Sequence, residues 1–204
     1  MPQLDELQRD ALGELFNIGV GRAAHSLSQM VRDEVELSAP VIALVRTQEV
    51  ATTLLGAEFR EVSMVSIDFS GPFEAQAILL FPERNALAIV SHMLDPDIPP
   101  EELSEFEEEA MCEVGNIILN ACISALADEF GVEFSGGLPV HHFSDTETLP
   151  LFDGNDEQVV LLLQINLAIR QEQVEGHLLF LLSVSSMKSL LDCLQRYLVR
   201  LGVV

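Results

Sequence analysis

Apolar positions recur with a helical period in two long segments of the chain, about residues 4–31 and 104–130. In both segments an apolar stripe repeats every three or four residues and the other face is polar, which is typical of an amphipathic helix packed on a core. Two shorter segments, 83–94 and 185–198, have the same pattern. We therefore predict four helices.

Extended segments lie between these helices, and they have the same order in both halves of the chain. An alternating or β-rich stretch follows each long helix, then a short helical or irregular piece, then two strand-like runs. The runs are FREVSMVSIDFSG with EAQAILLF, and EQVVLLLQINLAIR with GHLLFLLSV. Short turns at SGPFE and RQEQVEG favour antiparallel pairing. The pattern predicts an α+β fold with one continuous, largely antiparallel sheet flanked by helices.

The two halves also match residue by residue at an offset of 99. The matched pairs are Glu14 and Glu113, Asn17 and Asn116, Ile18 and Ile117, Leu27 and Leu126, and Pro40 and Pro139. A fixed offset of this kind indicates a duplicated unit. We expect a single domain with pseudo-two-fold symmetry, made of two repeats at about 1–98 and 99–204.

Each long helix has a candidate capping box at its start. Asp5 and Gln8 have the spacing in which two side chains cap the first turn reciprocally, and Ser104 and Glu107 repeat it 99 residues later. We predict that both helices begin at these caps.

The composition narrows the classes of partner. The formal net charge is −23 and Lys188 is the only lysine, which argues against binding to nucleic acid or to an anionic membrane surface. No uninterrupted apolar run has the length of a membrane span, and the first residues lack the pattern of a signal peptide. We expect a cytoplasmic protein with no membrane insertion and with a protein partner that offers basic groups.

A polar stripe recurs on both long helices. Asp10, Glu14 and Asn17 fall within about 60° of one another on a helix that advances about 100° per residue. Glu109, Glu113 and Asn116 repeat the stripe in the second half, and a proline follows each Asn after 22 intervening residues. The opposite faces are apolar, with Leu12, Leu15, Ala23 and Leu27 on one helix and Met111, Ile118 and Cys122 on the other. By spacing alone, the stripes indicate either paired functional sites or a solvated helix face.

The glycines in the first helix also have two alternative explanations. Gly21 lies on the stripe of Asn17, where a missing side chain would admit another protein's backbone. Close packing of this helix against its neighbours is the alternative explanation for Gly13, Gly19 and Gly21.

Other candidate motifs fail on context. GVGRAA, residues 19–24, matches a relaxed dinucleotide fingerprint, but it lies inside a helical pattern and does not follow a strand. His141 and His142 are adjacent on a strand and should point to opposite faces. We therefore expect no metal site and no cofactor held by this chain.

The repeated motif, [D/E]-x3-E-x2-N with its distant proline, resembles the signature of the CheC family of chemotaxis phosphatases, and FNIGVGRAAHSLSQM resembles that family's first helix. The resemblance extends over both halves. It implies the pseudo-symmetric fold predicted above and hydrolysis of the phosphorylated CheY-type response regulator. It also implies catalytic pairs at Glu14 with Asn17 and at Glu113 with Asn116, with Asp10 and Glu109 in support. Glu109 departs from the pattern, since Asp or Ser is usual there.

The resemblance further implies a mechanism and partners. Mg²⁺ would be held by the receiver, each Asn would orient a water, and each Glu would contact the receiver's lysine. Some members bind the deamidase CheD, so a CheD-like partner is a further expectation. Two alternatives stay open: a non-enzymatic switch module similar to the FliM middle domain, which lacks the Glu-Asn pairs, and an adaptor whose main task is to bind a CheD-like deamidase.

Overall fold

The computed structural model describes residues 4–31, 33–47, 49–50, 61–94, 97–145, 158–169 and 172–203. The short pieces predicted after each first extended segment lie mostly outside these residues. The helices of the described chain are α1 (Glu6–Val31), α2 (Glu83–Met93), α3 (Glu107–Phe130) and α4 (Val184–Arg200), with a short 3-10 helix at Pro100–Glu105. All four predicted helices are therefore confirmed.

The strands form one sheet in which every pair is antiparallel among the described residues. They are β1 (Val35–Arg46), β2 (Glu61–Ser70), β3 (Ala75–Pro82), β4 (Ser135–Gly136), β5 (Val140–Asp145), β6 (Gln158–Ile169) and β7 (Glu172–Ser183). Their order is β1-β6-β7-β3-β2-β4, and β5 also pairs with β2. The predicted fold class, an α+β fold with a continuous antiparallel sheet, is confirmed.

The strand order explains how the two halves share one core. The hairpins β2–β3 and β6–β7 lie side by side through β3 and β7. Each outer strand then crosses to the other half, since β1 pairs with β6 and both β4 and β5 pair with β2. This exchange gives the arrangement its pseudo-two-fold symmetry. The repeat boundaries at about 98 and 99 stay a prediction.

Two predicted boundaries need correction. β7 begins at Glu172 rather than near Gly176, because its pairing with β6 continues to Ile169 opposite Glu172. Most of RQEQVEG is thus strand. The second capping box is wrong: Ser104 lies inside the 3-10 helix that begins at Pro100, and Phe106 precedes α3 without a side-chain cap. Proline with its fixed φ starts the helical turn early and moves Ser104 out of the cap position.

The first capping box is confirmed by its two hydrogen bonds. The Gln8 backbone N–H donates to Asp5 Oδ1 at 2.7 Å, and the Asp5 backbone N–H donates to Gln8 Oε1 at 3.1 Å. Two backbone donors at the helix start are thereby satisfied.

The main core lies where α1 and α3 pack together against the sheet. The apolar faces predicted for both helices are buried, including Leu12, Leu15, Ile118 and Cys122. Gly19 lies at the contact, since a Cβ built on it would come 2.7 Å from the Cα of Cys122. Two helix backbones can approach this closely only where the side chain is absent. α1 and α3, which carry the polar stripes, are therefore fixed against each other.

Helix α3 is long and apolar enough to cross a membrane by length and composition alone. However, 56% of its most apolar window is buried inside the protein. Its apolar residues are thus used in the core, as expected for the central helix of a globular domain.

Candidate functional site

The first polar stripe forms an exposed ridge along α1. Asp10, Glu14 and Asn17 are all exposed, while Leu15 and Phe16 between them are buried. The helical period thus turns these three polar side chains outward together, as predicted. Their placement satisfies the first requirement of a docking site, which is access for another protein.

The amide of Asn17 is held by the neighbouring strand. The Ala39 backbone N–H donates to Asn17 Oδ1 at 3.3 Å. Ala39 lies where the pairing of β1 with β6 is irregular, between Ser38 and Val41, so its N–H is directed to the side chain rather than to the ladder. The amide group keeps its NH₂ and the second lone pair of its oxygen for other partners.

A shallow pocket of about 370 Å³ lies beside this ridge. It is lined by Arg9, Asp10, Gly13, Glu14, Asn17, Ala39 and Ile42. The three residues predicted from the stripe therefore share one concave surface. Sequence reasoning did not identify Arg9, Ala39 or Ile42, because two of them come from β1 and Arg9 lies beside the stripe rather than on it.

The second stripe on α3 has a different geometry. Glu109 and Glu113 are exposed, but Asn116 is only partly accessible. The Nδ2 of Asn120 donates both to the backbone oxygen of Asn116 at 2.8 Å and to its Oδ1 at 2.7 Å. The amide oxygen of Asn116 is thus held by a side chain on the same helix, one turn further on.

Asn120 has a simple counterpart in the first half. At the offset of 99 it corresponds to Gly21, and a Cβ on Gly21 would meet nothing within 4 Å. Sequence reasoning missed Asn120, although the comparison of Gly21 with its counterpart would have identified it. For Gly21 the structure favours open space on the ridge, whereas Gly19 follows the close-packing explanation.

A buried polar cluster lies at the start of α3, near the second stripe. His141 Nε2 is 2.8 Å from Ser63 Oγ and 3.9 Å from Glu107 Oε1. Burial lowers the pKa of His141, and the neighbouring carboxylates of Glu107 and Glu108 only partly offset this effect. Both contacts use the same ring nitrogen, so this is not a Ser-His-acid relay, in which the two nitrogens have different partners.

Two of the motifs set aside above lie where the sequence placed them. GVGRAA lies within α1, so helix rather than strand directly precedes it. His141 is mostly buried whereas His142 is exposed, so the pair faces opposite sides of β5. Among the described residues, no group of three His, Cys, Asp or Glu side chains is arranged to hold a metal ion.

Two family models match successive parts of the chain. The model described as the CheC-like family matches residues 7–44, which contain the first stripe and most of β1. The model described as chemotaxis phosphatase CheX matches residues 63–157, which contain the second stripe.

Two curated relatives from Bacillus subtilis extend this comparison. The CheY-P phosphatase CheC is 27% identical over 128 residues, which are 61% of this chain and 61% of that protein. The flagellar motor switch phosphatase FliY is 20% identical over 200 residues, which are 94% of this chain and 50% of that protein. The chain thus spans between half and two thirds of the length of these relatives.

Solved structures share the fold at low identity. Thermotoga maritima FliY has a TM-score of 0.79 at 18% identity, with 96% of this chain and 100% of that chain covered. The FliM middle domain from Helicobacter pylori has a TM-score of 0.66 at 13% identity, with 93% and 99% covered. CheX in a CheX-CheY-BeF3-Mg²⁺ complex from Borrelia burgdorferi has a TM-score of 0.50 at 20% identity, with 83% and 97% covered. The CheC-like and CheX family models, which match different parts of the chain, and the curated CheC relative together support membership of the CheC family.

Proposed function

We propose that this protein is a phosphatase that hydrolyses the aspartyl phosphate of a CheY-type receiver, with Glu14 and Asn17 forming one catalytic pair and Glu113 and Asn116 the other. The observation that carries the proposal is the repeated Glu-Asn pair on the polar sides of α1 and α3, where Glu14, Asn17 and Glu113 are exposed and Asn116 is partly accessible. The exposed glutamate ridge lies opposite the buried apolar face of each helix, so core packing does not account for it. A role toward a partner protein accounts for its presence in both halves.

The chemistry suits an amide. An aspartyl phosphate is already reactive, so its hydrolysis needs mainly a water placed in line with the phosphorus and the leaving carboxylate. The water adds to phosphorus as the bond to the aspartate oxygen breaks, releasing inorganic phosphate and aspartate. Asn17 keeps an NH₂ group and one lone pair free while Ala39 fixes its oxygen, so it can hold such a water without repelling the phosphate oxygens.

The glutamates have a different role in this proposal. A carboxylate close to a phosphoryl group is repelled by it, so Glu14 and Glu113 serve better as contacts for a cation on the receiver, namely its lysine. Asp10 and Glu109 lie one turn earlier on the same ridges and extend the acidic surface. Mg²⁺ belongs to the receiver in this mechanism.

The partner class is supported independently by charge and by the relatives. A net charge of −23 favours a partner with basic groups. The B. subtilis CheC relative is named as a CheY-P phosphatase, and the B. burgdorferi structure is a complex of CheX with CheY. We infer the same receiver class here, acting in the cytoplasm. The proposal also includes a CheD-like deamidase as a second partner.

A switch or adaptor function without hydrolysis is the second candidate. The likeness to the FliM middle domain and to FliY, whose name includes the motor switch, favours it. It would use the same ridge as a docking surface and would need no water-positioning amide. The two functions are therefore separated by the effect of removing the amides.

The deciding experiment measures loss of phosphate from a labelled CheY-type receiver with Asn17→Ala, Asn116→Ala and the double variant. Each single variant should lose turnover at its own site and keep receiver binding, and the double variant should hydrolyse no faster than the receiver alone. Asn85→Ala is the matched control, because Asn85 lies on α2, which carries neither stripe, and its Nδ2 donates to the backbone oxygen of Glu175 on β7.

The outcomes distinguish the candidates. A double variant with the wild-type rate would remove the catalytic assignment. A wild-type protein that binds the receiver but never accelerates release would favour the switch or adaptor function. Equal losses in Asn85→Ala would mean that the amide substitutions act on folding rather than on the reaction.

A further inference from the structure

The two Glu-Asn pairs differ in what holds the asparagine. Asn17 Oδ1 accepts from a backbone N–H of β1, whereas Asn116 Oδ1 accepts from the side chain of Asn120. In both cases one protein donor occupies the amide oxygen. Because an amide has its oxygen and its NH₂ on opposite sides of the Cγ, fixing the oxygen also fixes the direction of the NH₂.

We propose that Asn120 is a positioning residue for Asn116, which takes over in the second site the task of the Ala39 N–H in the first. This inference rests on the proposed function, because it assumes that Asn116 orients the attacking water. Asn120 itself need not contact the receiver. Its effect is to select one orientation of the neighbouring amide.

The contacts of Asn120 are well suited to this task. Its Nδ2 donates to the backbone oxygen of Asn116 at 2.8 Å and to the side-chain oxygen of Asn116 at 2.7 Å. These two hydrogen bonds restrict the orientation of the Asn120 amide. Its Oδ1 lies against β4, where a Cβ on Gly136 would come within 3.4 Å of it. A side chain confined from both directions can hold its neighbour in a single rotamer.

The equivalent position in the first half supports the same reading. Gly21 has open space around it and supplies no donor, and there the backbone of β1 provides the contact instead. The part of the second half that corresponds to β1 is divided into β4 and β5, with residues 137–139 between the two strands. Within this interval the Gly137 backbone N–H donates to the Asp68 backbone oxygen. The two halves therefore fix their amides with donors from different elements.

The test isolates the second site in an Asn17→Ala background. Asn120→Ala added to this background should lower kcat about tenfold, because the free energy of roughly one hydrogen bond that orients Asn116 is lost. The KM for the phosphorylated receiver should stay within about twofold, because Asn120 does not form the docking surface. An unchanged kcat would overturn the proposal.

A pH profile separates positioning from a general loss of structure. Asn120→Asp in the same background places a carboxylate that cannot donate to Asn116, so its kcat should be low at neutral pH. As the pH falls toward the ordinary range of an aspartic acid, the protonated carboxyl can donate again, and kcat should recover relative to the parent. Asn120→Ala should show no such recovery. A flat ratio for Asn120→Asp would contradict the proposal.

The matched control uses the first site alone. Asn120→Ala in an Asn116→Ala background leaves only Asn17 to work, and its rate should equal that of Asn116→Ala. A fall in that rate would show that Asn120 supports the fold rather than Asn116. Full activity in the Asn17→Ala, Asn116→Ala double variant would instead refute the proposed function itself. A complete loss of activity in Asn17→Ala alone would show that the second site is inactive. Asn120 could then have no catalytic effect there, which also overturns this inference.

Discussion

Gly19 and Gly21 both lie on α1, but the stability of the protein should respond in opposite directions to their substitution by alanine. Alanine in place of helical glycine gains about 0.5–1 kcal/mol of stability, because the unfolded chain has less freedom to lose. Gly21 has nothing within 4 Å of its Cβ position, so Gly21→Ala should keep this gain in full.

Gly19→Ala meets the backbone of α3. Its Cβ would lie 2.7 Å from the Cα of Cys122 and 3.2 Å from both the Cys122 nitrogen and the Ala121 oxygen. Carbon atoms normally rest about 3.5–4.0 Å apart, so the helices must separate by about 1 Å. Such overpacking costs about 1–3 kcal/mol, which exceeds the gain from helix propensity. At the midpoints of these two ranges, the variant should be less stable by about 1 kcal/mol.

Urea denaturation followed by far-UV circular dichroism measures both variants against the wild type. The chain contains no tryptophan, so intrinsic tryptophan fluorescence offers no signal. A Gly19→Ala protein as stable as the wild type, or a destabilised Gly21→Ala protein, would refute the reasoning about the helix contact. Receiver kinetics add a second readout, because a methyl group on the exposed ridge should raise KM in Gly21→Ala if the partner's backbone approaches there.

Two further changes test the cap and a buried ring. Asp5→Ala should lower the free energy of unfolding by about 1 kcal/mol, because it breaks the reciprocal cap of α1. Ser104→Ala should change it by less than about 0.5 kcal/mol, because Ser104 lies inside the 3-10 helix and does not cap α3. Equal losses for the two variants in urea denaturation would contradict this assignment of the helix caps. Burial lowers the pKa of His177, and its Nδ1 has no hydrogen-bond partner among the described residues. The unfolded chain therefore binds a proton below about pH 6.5 that the folded chain resists, so stability is lost as the pH falls through this range. His177→Leu should stabilise the protein more at about pH 5.5 than at pH 8, and an equal gain at both values would show that His177 does not titrate on unfolding.

The sequence predicted which stripe residues are exposed, because the direction of a helical side chain follows from helix periodicity. A helix that must bury Leu12 and Leu15 has no choice but to expose Asp10, Glu14 and Asn17 on the other side. The same reasoning placed Glu109 and Glu113 outward on α3. The catalytic roles given to these residues stay predictions.

Local competition limited the prediction of boundaries. The spacing of Ser104 and Glu107 is correct for a capping box, yet Pro100 begins a 3-10 helix that includes Ser104. The sequence also predicted a turn that is too long between β6 and β7, because the residues of RQEQVEG are mostly polar and are typical of a loop. Their pairing with β6 shows that most of them belong to β7. Short-range patterns cannot rank two competing structures whose difference in energy arises from long-range pairing.

By itself, the sequence determined the fold class with its duplicated pattern, the outward direction of the first polar stripe and that of Glu109 and Glu113 in the second, since hydrophobic period and the offset between the halves are properties of the chain alone. Only the tertiary structure decided that the outer strands exchange between halves, that Gly19 is a contact point while Gly21 is open, and that Asn17 and Asn116 are held by different donors. Each of these depends on which groups from distant segments come within a few ångströms, and hydrogen bonds and steric contacts act only over that range.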